Sequence, residues 1–143
     1  MKAIVVHEFG GADKLIYQEL EQPIPAPSQV LIKTLRSSIN FADIMATNST
    51  YTVTHLPFVP GIDTFGEIVG VGSGMEPTLI GMRVIAFCDQ GGYCEFTLAT
   101  KGLFFTVSQE FDDEQAGASP LLLGTCYGLL TRAATVTAGA RIP

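Results

Sequence analysis

Two side chains in the first third of the chain could do chemistry together. Asn40 and Asp43 stand three residues apart, where a β-rich run gives way to a short helical turn. That spacing suits a helix start. An Asn at the cap and a carboxylate in the first turn offset the unpaired N–H groups and the positive end of the helix dipole. On this reading Asn40 caps a turn over 41–46, and a capping Asn can still line a cleft. The other reactive groups form no comparable set. Ser37, Ser38 and Ser49 make no nucleophile motif with His7 or His55, so a serine hydrolase is not supported. Cys88, Cys94 and Cys126 are an odd number without a Cys-x-x-Cys, too few for a disulfide framework or a tetrahedral zinc site. Free thiols, buried or half-buried, are expected. Gly70-Val71-Gly72-Ser73-Gly74 follows a strand but misplaces the third glycine of a dinucleotide fingerprint. Met75-Glu76-Pro77 then opens no helix suited to a pyrophosphate, so the segment reads as a strand-ending turn.

The elements that must position these residues are mostly short strands. Runs over 2–7, 14–19, 29–39, 64–71, 82–87, 93–99 and 104–107 are rich in Val, Ile, Leu, Phe and Thr and are separated by Gly and Pro. A polar segment covers 47–55. Many short strands with such turns predict a barrel or curled sheet. The pattern changes at Asp112-Asp113-Glu114, which places negative charge at a helix start. Pro120 begins a second helical stretch. Its Leu121, Leu122, Leu123, Cys126, Tyr127, Leu129, Leu130, Ala133 and Ala134 are expected to fall mostly on one broad face. Residues 135–139 read as a helix exit, and Arg141-Ile142 as the first step of a strand.

Composition narrows the partners. Eight Lys and Arg against fourteen Asp and Glu give a net charge of −6. The cations are scattered, where nucleic acid would need them clustered. The apolar start at Met1 is broken by His7-Glu8 and is too short for a signal peptide, and no stretch has the apolar length of a membrane span. The cytoplasm is the expected compartment.

The order of several motifs points further. The chain carries MKAIVVHEFGGADKL at its start, NFADIMA from Asn40, LPFVPGIDTFGEIVGVG from Leu56, GMRVIAF from Gly81, GGYCEF from Gly91 and LLLGTCYGLL from Leu121. In that order it resembles the medium-chain dehydrogenase/reductase superfamily, in its zinc-independent quinone oxidoreductase branch with the vesicle-amine-transport-protein-like relatives. The resemblance implies a mainly β, GroES-like curled barrel with a few helices over 1–134. It also implies a junction over 135–143 to a Rossmann domain that does not follow. The function implied is the substrate side of an NADPH-dependent reduction of a quinone or enone, inactive without a nucleotide-binding domain on the same or a separate chain. A non-enzymatic GroES-like interaction module, or the remnant of a reductase, is the alternative.

The resemblance also assigns residues. It puts the Asn40 amide where nicotinamide and substrate meet, and Tyr51 in the substrate loop, where a phenol could bond a carbonyl oxygen or supply a proton. The alternatives are a helix cap for Asn40 and an exposed loop aromatic for Tyr51. Met45 and Thr125 stand where relatives contact the cofactor, though methionine cannot donate a hydrogen bond, and Thr125 could bond back to its own helix. Phe41 and Asp43 join Tyr51 on the substrate side, with Phe41, Met45, Phe58 and Phe87 as an apolar wall. Asp63, in Gly61-Ile62-Asp63-Thr64-Phe65-Gly66, stands where the family carries Glu and is expected to order neighbouring loops. Gly91-Gly92-Tyr93 reads as a structural turn into a strand. Zinc-dependent relatives carry ligands where this chain has Asn40, Ile62 and Leu121, so neither catalytic nor structural zinc is implied.

Overall fold

A computed structural model describes residues 1–51, 55–134, 136–137 and 139–141. The opening strand, β1 (Lys2–Val6), buries Ala3, Val5 and Val6 and pairs antiparallel with β2 (Leu15–Glu19) after a 3-10 turn at Ala12–Lys14. The larger sheet contains β3 (Gln29–Arg36), β4 (Asp63–Val71), β5 (Arg83–Phe87), β6 (Phe96–Thr100) and β7 (Phe104–Thr106). Its order is β6-β3-β4-β5-β7, every pairing antiparallel. Val30, Ile32, Ile68, Val84 and Ala86 are wholly buried there, and Ala99 completes their cluster. Removal of this branched apolar surface from water is the main stabilising term of the domain.

Single bridges, Ala3 to Cys94 and Val6 to Phe58, tie β1 to the segments flanking the larger sheet. Among the described residues the ladder does not run continuously around a barrel. The fold is mainly β with three helices: α1 (Phe41–Thr47), α2 (Asp113–Ala118) and α3 (Pro120–Gly128), the last continuing into a π-type turn at Leu129–Ala133. No described helix is long and apolar enough to cross a membrane.

Two strands stop well short of what their sequence suggests, each for a tertiary reason. β3 ends at Arg36, before residue 39, because Ser37 and Ser38 turn aside to bond Asp63. β6 begins at Phe96, after residue 93, because the Tyr93 N–H bonds the Pro60 carbonyl at 2.9 Å and Cys94 bridges to Ala3. The expected helix exit over 135–139 and the strand step at Arg141-Ile142 fall in part outside the described residues, as does part of the polar segment over 47–55.

α2 starts as its acidic run predicts. The Asp112 carboxylate accepts the Gln115 N–H at 2.7 Å. Arg83 anchors this end to the sheet. Its guanidinium lies 4.9 Å from the Phe65 ring and donates to the Phe111 carbonyl and the Asp113 carboxylate, both at 2.9 Å. The buried face expected of the second helical stretch is not formed. Leu122, Leu123, Tyr127 and Leu129 are each more than half exposed, and Leu130 is exposed at 41%. Apolar side chains surround α3 on every side, so no single stripe can turn them all inward.

Candidate functional site

The site begins with Asp63, the first residue of β4, whose side chain is wholly buried. A buried carboxylate is tolerated only where donors surround it. Ser38 supplies its backbone N–H at 3.1 Å to Oδ1, and its hydroxyl lies 2.7 and 2.6 Å from the two oxygens. The Asn40 amide donates to Oδ2 at 3.2 Å, and the Leu121 N–H at 3.3 Å. Leu121 lies in the first turn of α3, whose own cap position provides no side-chain acceptor because the Ser119 hydroxyl donates back to the Gln115 carbonyl. Asp63 therefore meets the positive end of that helix. It joins the end of β3, the start of α1 and the start of α3. The ordering role expected of this acid is what the geometry shows.

Asn40 is the N-terminal cap of α1 and is arranged with Asp43 as a capping box. The Asp43 half is well formed, its Oδ2 accepting the Asn40 backbone N–H at 2.8 Å. The Asn40 side chain makes no well-directed bond to the helix. Its two amide protons go to Ser38 Oγ, at 3.0 Å, and to Asp63. The donors that could have faced a ligand are thus spent on the network behind the helix.

Asp43 is almost entirely buried, at 3% exposure. Its Oδ2 also lies 3.1 Å from the Tyr93 hydroxyl, which shares its proton with the Ser38 carbonyl at 3.3 Å. Burial, and then the negative charge of Asp43, push the Tyr93 phenol well above its ordinary range, so it remains a donor. The turn that delivers Tyr93 needs its glycines. Gly61 has a φ of +95°, and a Cβ on Gly92 would stand 2.6 Å from the Asp63 carbonyl oxygen. Tyr93 escapes sequence reasoning because its partner lies fifty residues away. The glycine pair before it is the only local signal.

Beside this network opens a cleft of about 390 Å³, lined in part by Asp43, Tyr51, Phe58, Ile62, Phe87 and Leu121. Cys88 also lines it. Burial, then the charge of Asp63, push that thiol up to about 12, so it stays protonated and unreactive at neutral pH. Cys94 is half-buried with its thiol likewise raised, chiefly by burial, while Cys126 is exposed, against the expectation that it would be covered.

The cleft brings together Asp43 and Tyr51, and with them Phe58 and Phe87 of the expected apolar wall. Asn40, Phe41, Met45 and Thr125 are not among its lining residues. Phe41 points outward from α1 at 75% exposure, because the buried positions of that helix go to Asp43, Ala46 and Thr47. Met45 is half-buried, and Thr125 is exposed on α3. Among the described residues no group of three or more His, Cys, Asp and Glu could hold a metal ion. Ile62 and Leu121 offer the cleft only hydrocarbon.

A mainly β domain with its cleft walled by the starts of two helices defines a class, and the comparisons agree. Residues 26–142 match the family described as the alcohol dehydrogenase GroES-like domain, and the chain belongs to that family, in the medium-chain dehydrogenase/reductase superfamily. It is 34% identical over 142 residues to the quinone oxidoreductase of Lama guanicoe, covering 97% of this chain and 43% of that protein. It is 29% identical over 133 residues to the synaptic vesicle membrane protein VAT-1 homolog of Homo sapiens, covering 91% and 34%. Among solved structures, the quinone oxidoreductase of Escherichia coli complexed with NADPH superposes with a TM-score of 0.91 at 26% identity, over 96% of this chain and 42% of that one. A mycobacterial protein complexed with NADPH gives 0.89 at 31% identity, over 97% and 43%. The chain spans less than half the length of these relatives.

Proposed function

We propose that residues 1–134 are the substrate-side domain of an NADPH-dependent, zinc-independent quinone or enone oxidoreductase, with 135–143 as the junction to a nucleotide-binding domain. The observation that carries this reading is the cleft itself. It is apolar on most sides, holds one phenol and one buried carboxylate, and has no metal donors at Ile62 or Leu121. Such a cavity suits a flat, neutral acceptor. Tyr51, half exposed on its rim, is the residue placed to hydrogen-bond the acceptor oxygen. Asn40 acts through Ser38 and Asp63 as a positioning residue.

The residues near the cleft also fit one end of the cofactor. Met45 offers apolar contact to a flat nicotinamide ring and Thr125 an exposed hydroxyl, while Phe41 is left to the substrate side. When bound, the cofactor supplies the hydride. Among the described residues no Lys or Arg lines the cleft, so this reading gives the cofactor's phosphates to the second domain. The exposed Leu122, Leu123, Tyr127 and Leu129 of α3 supply an apolar surface on which that domain would dock.

NADPH oxidation with 1,4-naphthoquinone tests the reading in two forms, the 143-residue chain and the same chain fused to the nucleotide-binding domain of a relative. Negligible turnover alone and clear turnover in the fusion are expected. Tyr51→Phe in the fusion should lower kcat/KM by roughly tenfold. A folded fusion that binds NADPH but reduces neither quinones nor enones would overturn the assignment.

A further inference from the structure

Asp43 gives only one of its two oxygens to the protein. Oδ2 accepts the Asn40 backbone N–H and the Tyr93 hydroxyl, whereas the buried Oδ1 has no donor among the described residues. A carboxylate oxygen accepts hydrogen bonds and donates none. Shielded from bulk water and unmatched, it is in an unfavourable state that an arriving donor relieves. The two donors on Oδ2 hold the carboxylate in place, one fixed by the start of α1 and the other by the Gly91-Gly92-Tyr93 turn. The cleft that Asp43 lines is also walled by Ala46, Phe58, Ile62, Phe87 and Leu121, with Asp89 as a second carboxylate.

We propose that Asp43 Oδ1 is the cleft's recognition point for a hydroxyl or amide donor on a flat neutral ligand, with Tyr93 as its positioning residue. The cleft then holds a phenol or hydroquinone more tightly than the matching ether or quinone. This rests on the reading of the cleft as the acceptor-substrate site. A quinone carries only acceptor oxygens, which a carboxylate repels, while its two-electron reduced form carries O–H donors. The cleft is therefore matched to the reduced product. Anionic acceptors are disfavoured by two carboxylates without a cation among the lining residues. The occupant's donor reaches Oδ1 as side chains around it part slightly, and the resulting bond is sheltered from competing water. A nicotinamide carboxamide would offer the same N–H chemistry, so the test must separate the two sources.

The 143-residue chain is titrated with 2-naphthol, with 2-methoxynaphthalene and with reduced nicotinamide mononucleotide, and the amide chemical shifts of Ala46, Ile62 and Phe87 are followed. 2-Naphthol should bind about tenfold more tightly than the ether. In Asp43→Asn the single remaining oxygen is held by the Asn40 N–H and the Tyr93 hydroxyl, which puts an NH2 donor where Oδ1 stood. The naphthol and ether oxygens can both accept from that NH2, so the preference for 2-naphthol should disappear. Tyr93→Phe frees the carboxylate on one side and should narrow the preference to about threefold. It also serves as the test variant if Asp43→Asn loses the dispersed spectrum of a folded chain. If the mononucleotide displaces 2-naphthol from the parent chain and not from Asp43→Asn, the cofactor's amide is the donor and Oδ1 remains the recognition point. Equal affinity for naphthol and ether, with cleft residues shifting for both, overturns the assignment of Oδ1 and leaves the proposed function standing. If neither aromatic shifts the cleft residues, both readings are overturned.

Discussion

In the sheet, Val30, Ile32, Ile68 and Val84 are wholly buried, whereas α3 leaves Leu122, Leu123, Tyr127 and Leu129 more than half exposed. Both regions are rich in branched apolar residues. They differ in periodicity. Val30 and Ile32 of β3, and Val84 and Ala86 of β5, stand two apart and so share one sheet face that fills the interior, while α3 is apolar all round and offers no stripe. Hydrophobic sequence alone does not bury a segment. It is buried where its period matches a surface the chain already provides. Between the two regions lies the Asp63 network, which bonds the first turn of the poorly covered helix to the well-packed sheet.

The largest effect should separate the regions outright. Ile68→Ala removes a filled volume from the core and should destabilise the chain by about 2–5 kcal/mol. Leu122→Ala removes exposed surface and should change stability by less than about 0.5 kcal/mol. Denaturant unfolding of both variants measures this, and comparable losses would break the comparison by showing that α3 is packed in solution.

Asp63→Asn tests the fastening. The amide sets an NH2 group against the N–H and O–H donors of Ser38, Asn40 and Leu121, so a loss of about 2–3 kcal/mol is expected. Amide exchange sharpens the point. Protection should fall at α3 before it falls at β3 and β4. A variant that loses protection evenly across the chain would show that Asp63 supports the whole domain and not the helical end in particular.

The last effect is alkaline. Cys88 has an ordinary value of 9.0 and is pushed up to about 12 in the fold. Its pKa is raised on folding, so its contribution is complete below pH 9 and is lost as pH climbs from 9 toward 12. Over that interval stability should decline by up to about 1.4 kcal/mol per pH unit for this one proton. The Tyr93 phenol, raised in the same direction, adds to the decline above pH 10. Chemical denaturation between pH 8 and pH 11 in Cys88→Ala should show the shallower slope. An unchanged slope would mean that the thiol beside Asp63 is freely solvated.

The strands were legible in sequence because runs rich in Val, Ile, Leu, Phe and Thr and their Gly/Pro punctuation are local signals. So were the α1 cap at Asn40 and the acidic start of α2. The end of β3 was not, because Ser37 and Ser38 leave the ladder for a carboxylate more than twenty residues away. The cleft was legible in part. Asp43, Tyr51, Phe58 and Phe87 line it, but the outward turn of Phe41 depends on which side of α1 meets the core. Tyr93 was readable only as a turn residue, since nothing in Gly91-Gly92-Tyr93 announces a partner on α1. The exposure of α3 follows from missing periodicity, which a count of apolar residues conceals.

The Asp63–Leu121 bond joins residues 58 apart in sequence. Loop length does not set this bond apart, since β3 pairs Gln29 with Thr100 at a still larger separation. Cover does: Leu122, Leu123, Tyr127 and Leu129 of α3 stay exposed, so under thermal or mechanical load the helical end should let go while the sheet is still intact, opening the chain as a hinged flap and not as a single block.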